Sequence, residues 1–154
     1  MKTPFKSFIV LLAATLLMVG CSGLGDVEKR IDLSIQKNCA GRFPCVIDVK
    51  DATPFAWEKM YVFKYTATQA EIEQAIGTKI TGYRELRRKL IFTKAGVVVH
   101  SEDEPTNVEH PIKNEVVFAI PDSVSYKEYD QGVSFTVSSE SGDAGPYYLL
   151  QPTK

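Results

Sequence analysis

The chain has 154 residues, with 18 Lys and Arg against 19 Asp and Glu, and a formal net charge of −1 at neutral pH. That balance excludes the excess of base that a nucleic-acid-binding face requires. Its densest basic run, Tyr83-Arg84-Glu85-Leu86-Arg87-Arg88-Lys89, reads as a solvated face or a strand entry, with contact to an anionic surface as the sharper alternative.

At the amino terminus, Lys2 and Lys6 precede an apolar run over residues 8–19 and the small residue Gly20, followed by Cys21. This is the order of a secretory signal and its cleavage site. Twelve apolar-run residues fall short of the ~20 that a spanning helix needs. The segment Met18-Val19-Gly20-Cys21 resembles the lipobox of bacterial lipoproteins, with Met18 where that family prefers leucine. The resemblance implies cleavage before Cys21 and lipidation of that cysteine, giving a signal peptide over residues 1–20, a lipidated tether over 21–25 and one domain over 26–154. Ser22, in place of an aspartate after the cysteine, implies an outer-membrane destination, the domain facing the periplasm. Removing the leader takes Lys2 and Lys6 with it, so 16 basic groups face 19 acidic ones and 134 residues carry a net charge of −3. That length suffices for one domain with a real core. Several acyl chains on one cysteine, as in that family, make a stable anchor, because one chain alone is marginal.

Asp26 is placed to cap a helix, with Glu28 early in its first turn. Val27, Ile31 and Ile35 recur at four-residue spacing and predict a helix over 27–37, while alternation at Ile31, Leu33 and Ile35 is the competing strand pattern. Cys39 and Cys45 enclose Gly41 and Pro44 in a short ring, and an oxidising compartment lets them pair in a structural disulfide. The C-x5-C spacing is not that of a redox catalyst, and no histidine is spaced with it as a zinc module requires.

A strand is expected over 45–49, a turn over 51–54, and a second strand over 57–65 whose apolar residues on both faces make it central. Thr68 and Glu71 form a capping box, and Gly77 closes the helix that follows. The stretch Phe55-Ala-Trp57-Glu-Lys-Met-Tyr-Val-Phe63, then a capped helix and Gly77, resembles a pattern in small uncharacterised bacterial lipoproteins. That resemblance covers about 25 residues, implies a common structural core and brings no activity. Strands are expected over 90–93, 97–100, 115–120, 133–137 and 147–150, with a loop over 101–113 and a flexible turn over 138–145. The expected fold is α+β, an antiparallel β-sheet of about six or seven strands with two short helices on one face.

No phosphate-binding or dinucleotide motif is present, so no cofactor is implied, and the serines over 134–141 lie in no nucleophile elbow. His100 and His110 flank Glu102, Asp103, Glu104 and Glu109, and this acidic loop is the one place where a metal or a proton-transfer group would gather. Its spacing matches neither a zinc nor a calcium motif and reads better as a solvated turn. Trp57, Tyr61, Phe63 and Tyr65 are the candidate ligand or partner face, against core packing as the more ordinary use of large aromatics. No catalytic residue and no metal ligand is assigned. The expectation is a non-enzymatic lipoprotein of the cell envelope, held to the membrane by its anchor, that binds another macromolecule: an envelope component, or a toxin to which it confers immunity. The alternative is a periplasmic enzyme or a small-ligand or metal binder built on the His100 to His110 loop.

Overall fold

A computed structural model describes residues 25–104 and 110–153. The proposed leader, Cys21 and Glu109 lie outside those residues. The order of elements is α1 (Asp26–Cys39), β1 (Cys45–Asp48), α2 (Val49–Ala52), β2 (Lys59–Phe63), α3 (Gln69–Ile76), β3 (Arg88–Lys94), β4 (Val97–Glu104), β5 (Val116–Phe118), β6 (Tyr126–Asp130), β7 (Ser134–Gly142) and β8 (Gly145–Pro152). The α+β class is as expected, but among the described residues eight strands form two sheets, not one. The first sheet has the order β4-β3-β2-β6 and the second β1-β7-β8-β5. All pairings are antiparallel except that of β5 with β8.

Alternation along β2 and β3 explains why one layer serves two cores. Met60, Val62, Leu90 and Phe92 point between the sheets, where they meet Ile47, Val116, Phe118, Phe135, Val137 and Leu150 of the second sheet and Val27, Ile31 and Ile35 of α1. Tyr61, Phe63 and Ile91 point the other way and pack under Ile72 and Ile76 of α3. β2 is therefore central and buried on both faces, as its composition requires. The helical spacing at residues 27, 31 and 35 prevails over the competing strand pattern, because all three side chains enter one core while Leu33 stays 62% exposed.

The helix ends differ in how they are satisfied. At α3 the capping box forms as expected: Thr68 Oγ1 accepts from the Glu71 amide at 3.3 Å, and the Glu71 carboxylate accepts from the Thr68 amide at 2.8 Å. Gly77 then adopts φ 73°, which suits a residue without a side chain. At α1 the expected Asp26 cap does not form. Asp26 is already inside the helix, Gly25 is the N-cap, and Glu102 of β4 accepts from the amides of Val27 at 3.1 Å and Glu28 at 3.2 Å. A carboxylate from the opposite side of the chain thus meets the positive end of the helix. Gly25 leaves room for that approach: a Cβ there would stand 2.5 Å from the Glu102 carboxylate, which would have to shift.

Several boundaries depart from expectation. Residues 51–52 belong to the short helix α2, and β2 is shorter than the predicted strand, so Trp57 precedes it and packs with Met60 in the inter-sheet core. β4 continues through Glu104 where a polar loop was expected, and the turn expected over 138–145 narrows to Asp143 and Ala144 because β7 and β8 run on toward it. The Cys39–Cys45 disulfide is formed, with the two Cα atoms 5.6 Å apart.

Trp57 is 2% exposed, meets Phe92 edge-to-face at 5.2 Å and donates its indole N–H to Thr53 Oγ1 at 2.8 Å. Trp57→Ala is expected to cost roughly 3–5 kcal/mol, readable as a lowered urea midpoint. An unchanged midpoint would contradict the burial. Non-reducing peptide mapping of the protein should recover Cys39 linked to Cys45, and finding both thiols free to alkylation would contradict the bridge.

Candidate functional site

The basic run and the acidic run identified in the sequence are one feature in three dimensions. Across the β3–β4 ladder Arg88 stands opposite Glu104, and Lys89 opposite Asp103. A bulge at Val99 sets this register, because Phe92 pairs with His100 while Thr93 pairs with Val98. Lys89 points to the α3 side, where it is 3% exposed, forms an ion pair with Asp103 and lies 5.1 Å above the Tyr83 ring. Arg88 points between the sheets.

There Arg88 meets a buried acidic group. Its Nε lies 3.0 Å from Glu104 of β4, and its guanidinium also pairs with Glu115, which immediately precedes β5. Glu115 further accepts from the Ile112 amide at 2.8 Å. Glu28 of α1 completes the group, accepting from the Val116 amide at 2.9 Å. Glu28, Glu104 and Glu115 are each no more than 1% exposed. One oxygen of Glu28 and one of Glu104 have no hydrogen-bond partner among the described residues.

Three carboxylates against one guanidinium in a dry interior cannot all stay ionised at low cost. Burial first, and the neighbouring Glu104 charge second, push the Glu28 carboxyl up to about 8, opposed by the Val116 amide and Arg88. Burial likewise raises Glu104, to about 7, against the favourable pull of Arg88 and with the charges of Glu102 and Glu115 adding to the rise. Near neutrality Glu28 is therefore mainly a neutral acid beside the Arg88–carboxylate pairs.

A cleft of about 530 Å³ opens onto part of this cluster. Arg88 and Glu115 reach its wall, Val117, Phe118 and Ile120 supply apolar surface, and Lys64, Tyr65 and Asp122 stand around it. Lys64 donates to the Pro121 carbonyl at 2.7 Å and lies 3.4 Å from Asp122, so its charge is partly satisfied at the rim. A more polar depression of about 740 Å³, lined by Glu71 and residues 122–128, shares Lys64, Thr66 and Asp122 with it.

The residues nominated from sequence are dispersed. Trp57, Tyr61 and Phe63 are core residues at 2%, 5% and 0% exposure, so they form no partner face; Tyr65 is the member of that set that reaches the cleft. His100 lies in β4, as the strand expected over 97–100 requires, and the strand continues past it. His100 stacks on Phe55 at 4.8 Å and contacts Glu102 at 3.0 Å, the same carboxylate that caps α1. His110 contacts Asp143 at 2.8 Å at an exposed position. Asp103 and Glu104 are engaged by Lys89 and Arg88. Among the described residues no three His, Cys, Asp or Glu side chains are placed to hold a metal ion. Sequence reasoning missed Glu28 and Glu115, because nothing local marks either as buried. Comparison of the chain with protein-family models, curated proteins and solved structures finds no match.

Arg88→Met would leave the buried carboxyls without their guanidinium. Removing one partner of a buried ion pair costs about 3–5 kcal/mol, and the loss should be largest at pH 8 and smaller at pH 5, where Glu28 and Glu104 are protonated. Urea unfolding at the two pH values checks this; equal stability of variant and wild type at pH 8 would contradict it.

Proposed function

We propose that the protein is a lipid-anchored, non-enzymatic binding domain of the bacterial cell envelope, held at the membrane through Cys21 and facing the periplasm. The observation that carries the binding reading is how the reactive side chains are spent. His100 stacks and bonds within the fold, His110 pairs with a surface aspartate, and the buried carboxyls are engaged by Arg88 or by backbone amides. The cleft between the sheets, by contrast, presents Tyr65, Val117 and Ile120 at its partly exposed wall between charged rims, a composition suited to holding part of another molecule. The disulfide is consistent with export to an oxidising compartment. The partner in this reading is a protein of the envelope, or a toxin to which the chain confers immunity.

Two experiments test the two halves of this reading. Cys21→Ala should accumulate as unprocessed or unlipidated protein; mature, membrane-bound Cys21→Ala protein would refute the anchor. A photo-crosslinking amino acid at Tyr65, introduced in intact cells, should capture a discrete partner that the same group at exposed Gln131 does not. Equal capture from both positions would contradict binding at the cleft. Loss of all cellular function in a folded, abundant His110→Ala protein would instead favour chemistry in the acidic loop.

A further inference from the structure

We propose that Glu28, with Arg88, Glu104 and Glu115, forms a proton-controlled latch that docks the first turns of α1 onto β4 and β5. α1 is fastened to β4 and β5 by polar contacts at one end. Its amino-terminal end carries two polar attachments to the rest of the fold. Glu102 of β4 caps the Val27 and Glu28 amides, and the Glu28 side chain accepts from the Val116 amide of β5. Both lie in the first turn of the helix, at the end nearest Cys21.

The second attachment depends on the charge of the carboxyl that makes it. The groups facing Glu28 are Glu104 from β4, Arg88 from β3, Glu115 from the segment before β5 and the Val116 amide from β5 itself. Glu102 approaches from β4 through the helix amides, with His100 bonded to it. On its own helix, exposed Asp26 is 4.0 Å from Lys29, and Asp32 bonds Gln36 on a later turn. With Glu28 neutral, the buried group is Arg88 beside two carboxyls. With Glu28 ionised, a third negative charge enters a site where one oxygen of Glu28 and one of Glu104 already lack a partner among the described residues. Undocking the first turn relieves this by carrying Glu28 to water.

The sign follows from linkage. The Glu28 carboxyl holds its proton up to about 8 when docked, against 4.5 for an unburied glutamate. Docking is therefore fully supported below about pH 4.5, weakens as the pH rises through 8, and levels off above it. The raised Glu104 carboxyl acts in the same direction over a lower part of that range.

The test is hydrogen exchange on the full chain in detergent micelles, read as protection factors corrected for the intrinsic pH dependence of amide exchange. Between pH 6 and pH 9 the protection of residues 26–32 should fall by on the order of tenfold or more, while that of β2 and β3 falls less. Glu28→Gln keeps the shape and hydrogen-bonding capacity of the side chain without its charge, and should flatten the dependence at residues 26–32. Glu104→Gln should reduce it, and His100→Gln should leave it in place. The proposal is overturned if wild-type protection is flat, if Glu28→Gln retains the full dependence, if His100→Gln abolishes it, or if β2 and β3 lose protection equally with α1.

Discussion

The contact on which the most else depends is the pairing of Arg88 with Glu104 across β3 and β4. It stands in the register that the Val99 bulge sets, on the side of the ladder that faces the second sheet, and it supplies the positive charge around which Glu28 and Glu115 are placed. Through those two carboxyls it joins α1, distant in sequence, to the β3–β4 hairpin and the entry to β5. Buried ion pairs contribute little to net stability compared with apolar contacts of the same shape. Their stronger effect is on uniqueness, since a shifted register would leave a buried carboxylate without its guanidinium.

Around that centre, the first sheet separates two apolar compartments. The inter-sheet core is filled by both sheets and α1, and the second by α3 and the outer face of β2 and β3. Aromatic contacts concentrate where the layers meet. Phe92 packs against both Phe55 and Trp57, and Phe135 against Phe118 and Tyr129, each with rings near perpendicular. His100 continues the first of these groups by stacking on Phe55, which ties the edge strand β4 to the core through an aromatic face and to α1 through Glu102.

Much of this architecture was legible along the chain where the signal is local. Thr68, Glu71 and Gly77 declare α3 because a cap is a matter of a few residues. The double-faced apolar pattern at residues 60–63 declares a central strand for the same reason. What failed was non-local. Glu102 caps α1 in place of Asp26, and no property of residues 26–28 indicates it. The run from Ser101 to Glu104 looks like a solvated loop because it is polar, yet it is strand, because its acids face the basic residues that open β3. The hairpin turn at Ala95 and Gly96 contains that information: counting outward from it sets two basic residues against two acidic ones even before the bulge is known. The parallel pairing of β5 with β8 has no comparable sequence mark. Composition does not tell a buried ring from a presented one, so Trp57, Tyr61 and Phe63 stayed open between a partner face and the core they occupy, and Tyr65 is the member of the set beyond the end of β2.

The account rests on Glu28 being a neutral acid inside a charged cluster at neutral pH. Carboxyl-carbon NMR of glutamate-labelled protein measures that directly. One resonance, absent from Glu28→Gln, should titrate far above the ordinary glutamate range, toward about 8. A Glu28 resonance that titrates at or below pH 5 would show that the cluster carries no retained proton there and would contradict the account.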